Sequence, residues 1–507
     1  MSDSCSVCVA SFVSSGSKWK ALVGLEIHAQ IKSDVKLFSR APTEFDRPPN
    51  SSVQLFDAAF PGSLPVLNYF CVEAALRTAL ALDCRINEVS YFDRKHYFYS
   101  DLPAGYQITQ HRVPLAVGGH VTFSHEDTAE VQTVRIKQLH LEQDSGRSIV
   151  DEEGRVIFVD LNRCGIGLME IVTQPDMTSG DEVATAVREL RQVLLALDTC
   201  DGDMATASLR VDANISLHGP GSTGIRTEIK NVSGISNLRK AVDQEIARHI
   251  KLLEKGRDVV SETRSFDVKQ GITVPARHKH FQKQDYRFMP DPDLPPLNCS
   301  AYKSLDIPTL LSTLPALPGH TRRRLMRQYS IAARESTHLV NQGAVQYFET
   351  AAQHCEDARK LAVWVTKNLA GILNTKRVSI DASPISPLQL SSIINLLAKE
   401  SISVRTAQNI FYCMVDGDQR LATEITEENR WYQITSRDAL MELCQTVIGQ
   451  NEEQLKQYHS GKKELFQFFF GQVQRRCGGC AHPGTLHSVL SVKLDSENDT
   501  DTIGGSD

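Results

Sequence analysis

The sequence predicts an α+β fold, with an N-terminal domain built on an antiparallel sheet with helices and all-α domains after it. Three observations carry this prediction. Apolar and polar residues alternate with period two in several segments before residue 295. From about residue 305 the apolar residues recur instead at helical spacing. Two proline-rich stretches, 291–297 and 381–387, interrupt the chain where neither helix nor central strand can continue.

Taken in order, ALVGLEIHAQI at 21–31 sets Val23, Leu25, Ile27 and Ile31 on one strand face and Glu26, His28 and Gln30 on the other. Residues 70–83 form an apolar helix introduced by Asn68, and 181–198 a second one, with Val183, Val187, Leu190, Leu194 and Leu197 in register and Ser179 as its cap. Strands are expected again at 208–217, where Leu209, Val211, Ala213, Ile215 and Leu217 oppose Arg210, Asp212 and Asn214, and at 224–230, where Ile225 and Ile229 oppose Arg226, Glu228 and Lys230. DPDLPPL at 291–297 reads as a domain boundary, helical patterns follow at 321–334 and 359–373, and DASPISP at 381–387 introduces a last helical module. The expected division is an N-terminal extension at 1–17, a sheet domain at 18–296, a helical linker at 297–383, a helical tail domain at 384–490 and a disordered acidic tail at 491–507.

Bulk composition narrows the function classes. A chain of 507 residues with 41% hydrophobic content can bury more than one core, since single cores stop growing at roughly 250–300 residues. A net charge of -6 excludes a protein held on nucleic acid by overall basicity, so any RNA contact must be local. The 12 cysteines lack framework spacing, which favours reduced thiols, and no run approaches the ~20 apolar residues of a membrane span. Residues 1–20 are Ser-rich with one acid and no arginine, a weak match to an organelle transit segment.

The polar faces carry the chemistry. They hold acids and histidine beside Arg, Asn and Lys, where a solvated face would hold Thr, Ser and Lys. If these strands share a sheet, Glu26, Glu142, Asp212 and Glu228 converge with Glu170 of GLMEIV, and His140 shares the Glu142 face. Such carboxylates repel one another unless cations bind among them, and oxygen-rich ligation suits Mg²⁺ with a nucleotide's phosphates. Lys230, Arg210 and Arg226 are then candidates to hold phosphate oxygens. Two glycine-bearing loops, 101–110 and 162–167, offer backbone N–H groups to an anion without forming a known phosphate-binding loop. YFDRKHYFYSD at 91–101 interleaves Arg94, Lys95 and His96 with rings, which suits either base stacking with phosphate contact or an aromatic core strand.

These segments resemble the glutamyl/aspartyl-tRNA amidotransferase B-subunit family. The blocks are GLEIHAQI (24–31), FPGSLPVLN (60–68), FDRKHYFYSDLPAGYQITQ (92–110), HLEQDSGRS (140–148), DLNRCGIGLMEIVTQPDM (160–177), LRVDANISL (209–217), TEIKNVSGISNLRKAVDQEI (227–246) and DYRFMPDPDLPPL (285–297). YHSGKKELFQFFFGQV at 458–473 is similar to the family's C-terminal tRNA-binding module, so the resemblance spans about Lys18 to Leu490. It implies a cradle-shaped N-terminal domain, a helical linker, a tRNA-gripping tail and an ATP-dependent phosphorylation of a tRNA-linked carboxylate. Metal and nucleotide ligands then fall on Glu26, His28, Glu142, Glu170, Asp212 and Glu228, with Mg²⁺ held by His28, Glu142 and Glu170 and through water by Glu26, Asp212 and Glu228. Lys230 and Arg210 are expected to neutralise transferred phosphate, with Arg226 and Asn214 beside Glu26 on the nucleotide side.

No ammonia source is legible: Cys164 has no histidine near it in sequence, and no Ser-Ser-Lys amidase pattern appears. The resemblance therefore implies a separate glutaminase, the amidase or A subunit, together with a small C subunit, and Glu-tRNA(Gln) as substrate. Two departures from the family pattern stand out. Bacterial members carry cysteine pairs for zinc in the segment matching 37–62; this chain has no cysteine there, so no structural zinc is expected and the loop must hold by packing. That loss resembles the mitochondrial branch, and with the N-terminal extension it points to the mitochondrial matrix. Gln143 replaces a common acid after Glu142, which is expected to lower negative charge beside the metal. Cys477, Cys480 and His482 form only a single CxxC, read as ordinary thiols. Two rival readings are a non-catalytic tRNA-binding scaffold and a free-standing metal-dependent phosphohydrolase, which would leave 384–490 without a purpose.

Overall fold

The computed structural model describes residues 19–496 apart from 125–130, 152, 220–223, 277–285 and 303–304. The expected N-terminal extension at 1–17 lies outside them. The chain forms two compact units that divide between Thr321 and Arg322.

The first unit is organised by a ten-stranded sheet. In chain order its strands are β1 (Lys20–Gln30), β2 (Arg85–Ile86), β3 (Ala116–Val117), β4 (His120–Ser124), β5 (Val131–Gln143), β6 (Gly167–Thr173), β7 (Leu209–His218), β8 (Thr227–Ile229), β9 (Thr263–Asp267) and β10 (Ile272–Pro275). Their spatial order is β10-β9-β8-β7-β1-β6-β5-β3-β2, with β4 also paired to β5. All pairs are antiparallel except β8 with β9, which the crossover helix α3 (Ile235–Glu254) makes parallel. The 224–230 segment supplies only the three residues of β8.

The alternation works as expected. Val23, Leu25 and Ile27 of β1 are fully buried, while Glu26 and His28 on the opposite face are only half-buried. Helices α1 (Tyr69–Ala81), α2 (Gly180–Ala196) and α3 share one hydrophobic cluster with that apolar face, through Leu76, Val183, Val187, Leu190, Leu238 and Val242. Each such side chain contributes roughly 1.5–3 kcal/mol when fully buried. Asn68 caps α1 by accepting from Phe70 N, and Ser179 caps α2 by accepting from Glu182 N. A separate small sheet orders Arg287–Pro290, Asp93–His96 and Tyr106–Thr109 side by side. Of the 91–101 segment only Asp93–His96 is strand.

Three expectations change on folding. DPDLPPL does not end the first unit: Asp291 is buried and accepts from Arg94 Nε at 2.8 Å, and Leu294, Leu297, Leu305 and Leu310 join the first core. Prolines stop a regular element, but the leucines around them still have apolar surface to cover. The second unit holds two clusters, one running from Leu325 to Ile425 and one from Leu440 to Leu494. DASPISP lies inside the first cluster, with Ile385 at 0% exposure and Ser386 forming a capping box with Gln389 on the helix Pro387–Ala398. Finally, the helix Pro483–Ser496 extends into the stretch expected to be a tail from 491, because Leu490 and Leu494, one turn apart, are both buried. Residues 497–507 lie outside the described residues.

The 37–62 loop is held by more than packing. Lys36 and Asp57 form a buried ion pair at 3.2 Å, and the Asp57 carboxylate also accepts from Ser39 Oγ at 3.0 Å and Gln54 N at 2.9 Å.

Candidate active site

Strand order now decides which polar residues meet. β6 sets Glu170 opposite His28 and His140 opposite Glu170; β7 sets Arg210 opposite His28 and Asp212 opposite Glu26. One row therefore crosses four strands as His140, Glu170, His28 and Arg210. Glu228 of β8 lies opposite Asn214.

Two ligand groups result. His28, Glu142 and Glu170 form one and Glu26, Asp212 and Glu228 the other, each with its donor atoms within 4.8 Å of one another. In the first, His28 Nε2 stands 3.6 Å from Glu170 Oε2 and 4.0 Å from Glu142 Oε1. In the second, Lys230 Nζ lies 3.1 Å from Asp212 Oδ2 and 2.9 Å from Glu228 Oε1. Donors of this kind, oxygens and one imidazole without thiolate, fit Mg²⁺.

Burial opposes charge throughout, so each ionised group needs a partner. Burial raises Glu170, but His140 at 3.0 Å and His28 outweigh it and hold the carboxyl well below its usual range. The same contacts lift His28 and His140 against their own burial. Glu26 is pushed up by burial and then by Glu170 and Glu228, with Asn214 Nδ2 donating to it at 3.0 Å. Lys230 is raised despite burial by Asp212 and Glu228.

A cavity of about 400 Å³ opens over this face. Its walls include His28, Glu142, Arg210, Asp212 and Lys230. Arg210 is not loose: its Nη2 lies 3.0 Å from Asp144, while its buried Nε has no hydrogen-bond partner among the described residues. Arg226 is exposed and is not among the lining residues, so the structure does not bring it to the cavity.

The geometry also recruits residues beyond the expected ligands, some of them, Lys95 and His140, already marked by the 91–101 segment and the Glu142 strand face. Gln107 Nε2 donates to Glu142 Oε1 at 2.6 Å, and Lys95 Nζ stands 3.9 Å from Glu142 Oε2. Asp144, Tyr97 and Tyr286 line the cavity, and His140 braces Glu170. The shared strand face marked His140, and the same rule applied to 106–109 could have marked Gln107. Tyr286 immediately precedes the strand Arg287–Pro290, whose pairing with Asp93–His96 no local pattern reveals.

Other expectations are corrected. Alternation turns Gln143 away from Glu142, and its Oε1 accepts from Ile108 N at 3.2 Å, so it does not change charge at the ligand groups. In the 162–167 loop the N–H groups of Cys164, Gly165 and Ile166 are spent on Leu161, Asp144 and Arg163 carbonyls, which leaves them none for an anion. Cys164 itself is buried, and burial pushes its thiol up to about 12, the opposite of an activated nucleophile.

Known proteins match this sequence along most of its length. The GatB/GatE catalytic domain matches residues 21–303, and the GatB domain matches 346–494. The mitochondrial B subunit of glutamyl-tRNA(Gln) amidotransferase from Danio rerio is 44% identical over 93% of this chain and 89% of its own. The chain belongs to the GatB family. The human mitochondrial B subunit is 42% identical over 94% of this chain and 89% of its own. The B subunit of the aspartyl/glutamyl-tRNA(Asn/Gln) amidotransferase from Rickettsia canadensis is 42% identical over 94% and 98%. GatB proteins are parts of ATP-dependent amidotransferases, so this chain is one component of a heteromeric enzyme. Among its described residues no helix is long and apolar enough to cross a membrane.

Proposed function

We propose that this GatB chain is the mitochondrial B subunit of glutamyl-tRNA(Gln) amidotransferase, and that its cavity phosphorylates the glutamate carboxylate carried on tRNA(Gln). The observation that carries this is that two carboxylate-rich ligand groups lie side by side on one sheet face and open, through His28, Glu142 and Asp212, onto a cavity that Lys230 and Arg210 also line. The side-chain carboxylate oxygen attacks the γ-phosphorus of ATP and ADP leaves; ammonia then attacks the acyl carbon and phosphate leaves, giving the amide. Mg²⁺ held by His28, Glu142 and Glu170, with Glu26, Asp212 and Glu228 beside it, would supply charge neutralisation of the phosphates.

The chain's own residues do the positioning. His140 and His28 keep Glu170 ionised, Gln107 fixes one oxygen of Glu142, and Asn214 fixes Glu26. Arg210, pinned by Asp144, and Lys230 bring two positive charges to the same wall of the cavity. Such fixed donors need no reorganisation as charge moves in the transition state. Ammonia comes from the glutaminase partner, the A subunit, with a small C subunit to brace the pair and a tRNA held by the helical tail.

The test is reconstitution with those partners and an assay of glutamine formation on Glu-tRNA(Gln) with ATP. Glu142→Gln or Glu170→Gln should reduce it at least about a hundredfold, on the scale of a lost electrostatic contact to the transition state. Basal glutaminase activity should persist. Normal transamidation by both variants would overturn the site and leave the chain a scaffold.

A further inference from the structure

The small sheet has a face that continues the cavity out to solvent. Phe288 and Gln107 lie opposite Lys95 on either side, so these three share the face that carries Lys95 and Gln107 into the cavity. Along this side the rings form an unbroken chain. Tyr99 to Tyr97 is 5.7 Å between centroids, Tyr97 to Tyr286 is 5.7 Å, Tyr286 to Phe288 is 6.5 Å, and Phe288 stacks on His111 at 3.8 Å with planes 12° apart. The inner three rings line the cavity, whereas Phe288, at 37% exposure, and His111 lie on the surface.

This arrangement is not explained by core packing, because its outer rings stack in water. Positive charge lies beside the rings: Lys95 Nζ is 5.0 Å from the Tyr286 ring centroid, and exposed Arg112, next to His111 in sequence, is held by Asp93 with its guanidinium 5.3 Å from the Tyr91 ring. Aromatic faces with positive charge alongside are what a single-stranded nucleic acid recognises, since every base offers a π-face and every linkage a phosphate. A protein partner's apolar side chain would not need the charges.

Resting on the function proposed above, we propose that this track is the stacking path along which the unpaired 3′ nucleotides of the aminoacylated RNA enter the cavity. Phe288 and His111 are its outer contacts and Tyr97 and Tyr286 its inner ones. Each base stacked this way is worth on the order of a 5- to 150-fold change in affinity.

The experiment uses the assembled complex in a binding titration with tRNA(Gln), either intact or lacking its unpaired 3′ nucleotides. The parent should lose affinity when the nucleotides are removed. Phe288→Ala with His111→Ala should bind intact tRNA at least about tenfold more weakly and lose little more on their removal, and Phe288→Tyr should restore binding. A 2-aminopurine at the terminal base should be quenched in the parent complex and brighter in the double variant, a signal that mere destabilisation would not give at unchanged saturation. Equal losses for both proteins with unchanged quenching would overturn the track. If the track alone is wrong, Glu142→Gln still abolishes glutamine formation; if the function is wrong, Glu142→Gln remains active.

Discussion

Replacing Lys36 by Met tests how the 37–62 loop is held. The Lys36 and Asp57 side chains are 0% and 1% exposed, so loss of the ammonium leaves a buried carboxylate whose remaining partners among the described residues are Ser39 Oγ and Gln54 N. Breaking one side of a buried pair costs about 3–5 kcal/mol. In a unit of this size that is a fall in melting temperature on the order of 5–10 °C. Lys36→Met/Asp57→Leu should recover part of the loss, with a coupling of about 1–3 kcal/mol in a double-mutant cycle by urea unfolding of the purified chain. The pH dependence has a definite sign. Burial lowers the folded Lys36 below its ordinary value even though Asp57 opposes this. Just below the unfolded pKa of about 10.4 the unfolded chain therefore binds more protons, and the residue's contribution to stability rises with pH there. The Lys36→Met protein should lack that part of the slope. A single variant within about 1 kcal/mol of the parent, the range of an exposed pair, would refute the reasoning.

Three further outcomes are expected. Buried Glu245 is pushed up by burial but held well below the carboxylate range by His249, Arg248 and Thr273, so its contribution is present above about pH 4.3 and lost as pH falls further. Glu245→Gln should cost about 3–5 kcal/mol at neutral pH, a gap that acid denaturation curves should show closing below pH ~4. Alkylation at pH ~8 followed by peptide mass spectrometry should spare Cys164, Cys71 and Cys84, whose thiols burial pushes up to about 12, and should modify half-buried Cys413 and Cys477 before them. Neutralising Lys462, Lys463, Arg475 and Arg476 together should weaken tRNA binding and flatten its salt dependence by roughly 0.7–0.9 in log–log slope per lost phosphate contact. An unchanged slope would assign these residues to local contacts such as Lys463 over Tyr458 and Arg476 with Gln450.

The sequence by itself determined which residues share a strand face. Glu26 with His28, Arg210 with Asp212 and Asn214, and Glu228 with Lys230 follow from the two-residue repeat, because an exposed carboxylate and a buried valine cannot exchange places without a large desolvation cost. Helices α1 and α2 were legible for the same reason, through their apolar spacing and the Asn68 and Ser179 caps. Only tertiary structure decided what stands beside each face. The register of β1 against β6 and β7 puts His28 between Glu170 and Arg210, residues more than a hundred positions away in the chain. Tertiary packing likewise sets Asp144 on Arg210 and leaves Arg226 outside the cavity, while the pairing of Arg287–Pro290 with Asp93–His96 in the small sheet brings Tyr286 beside Tyr97. Local patterning is set by each segment's own side chains, whereas strand order and register are set by how several distant apolar faces close over one core, and no window of sequence contains that information.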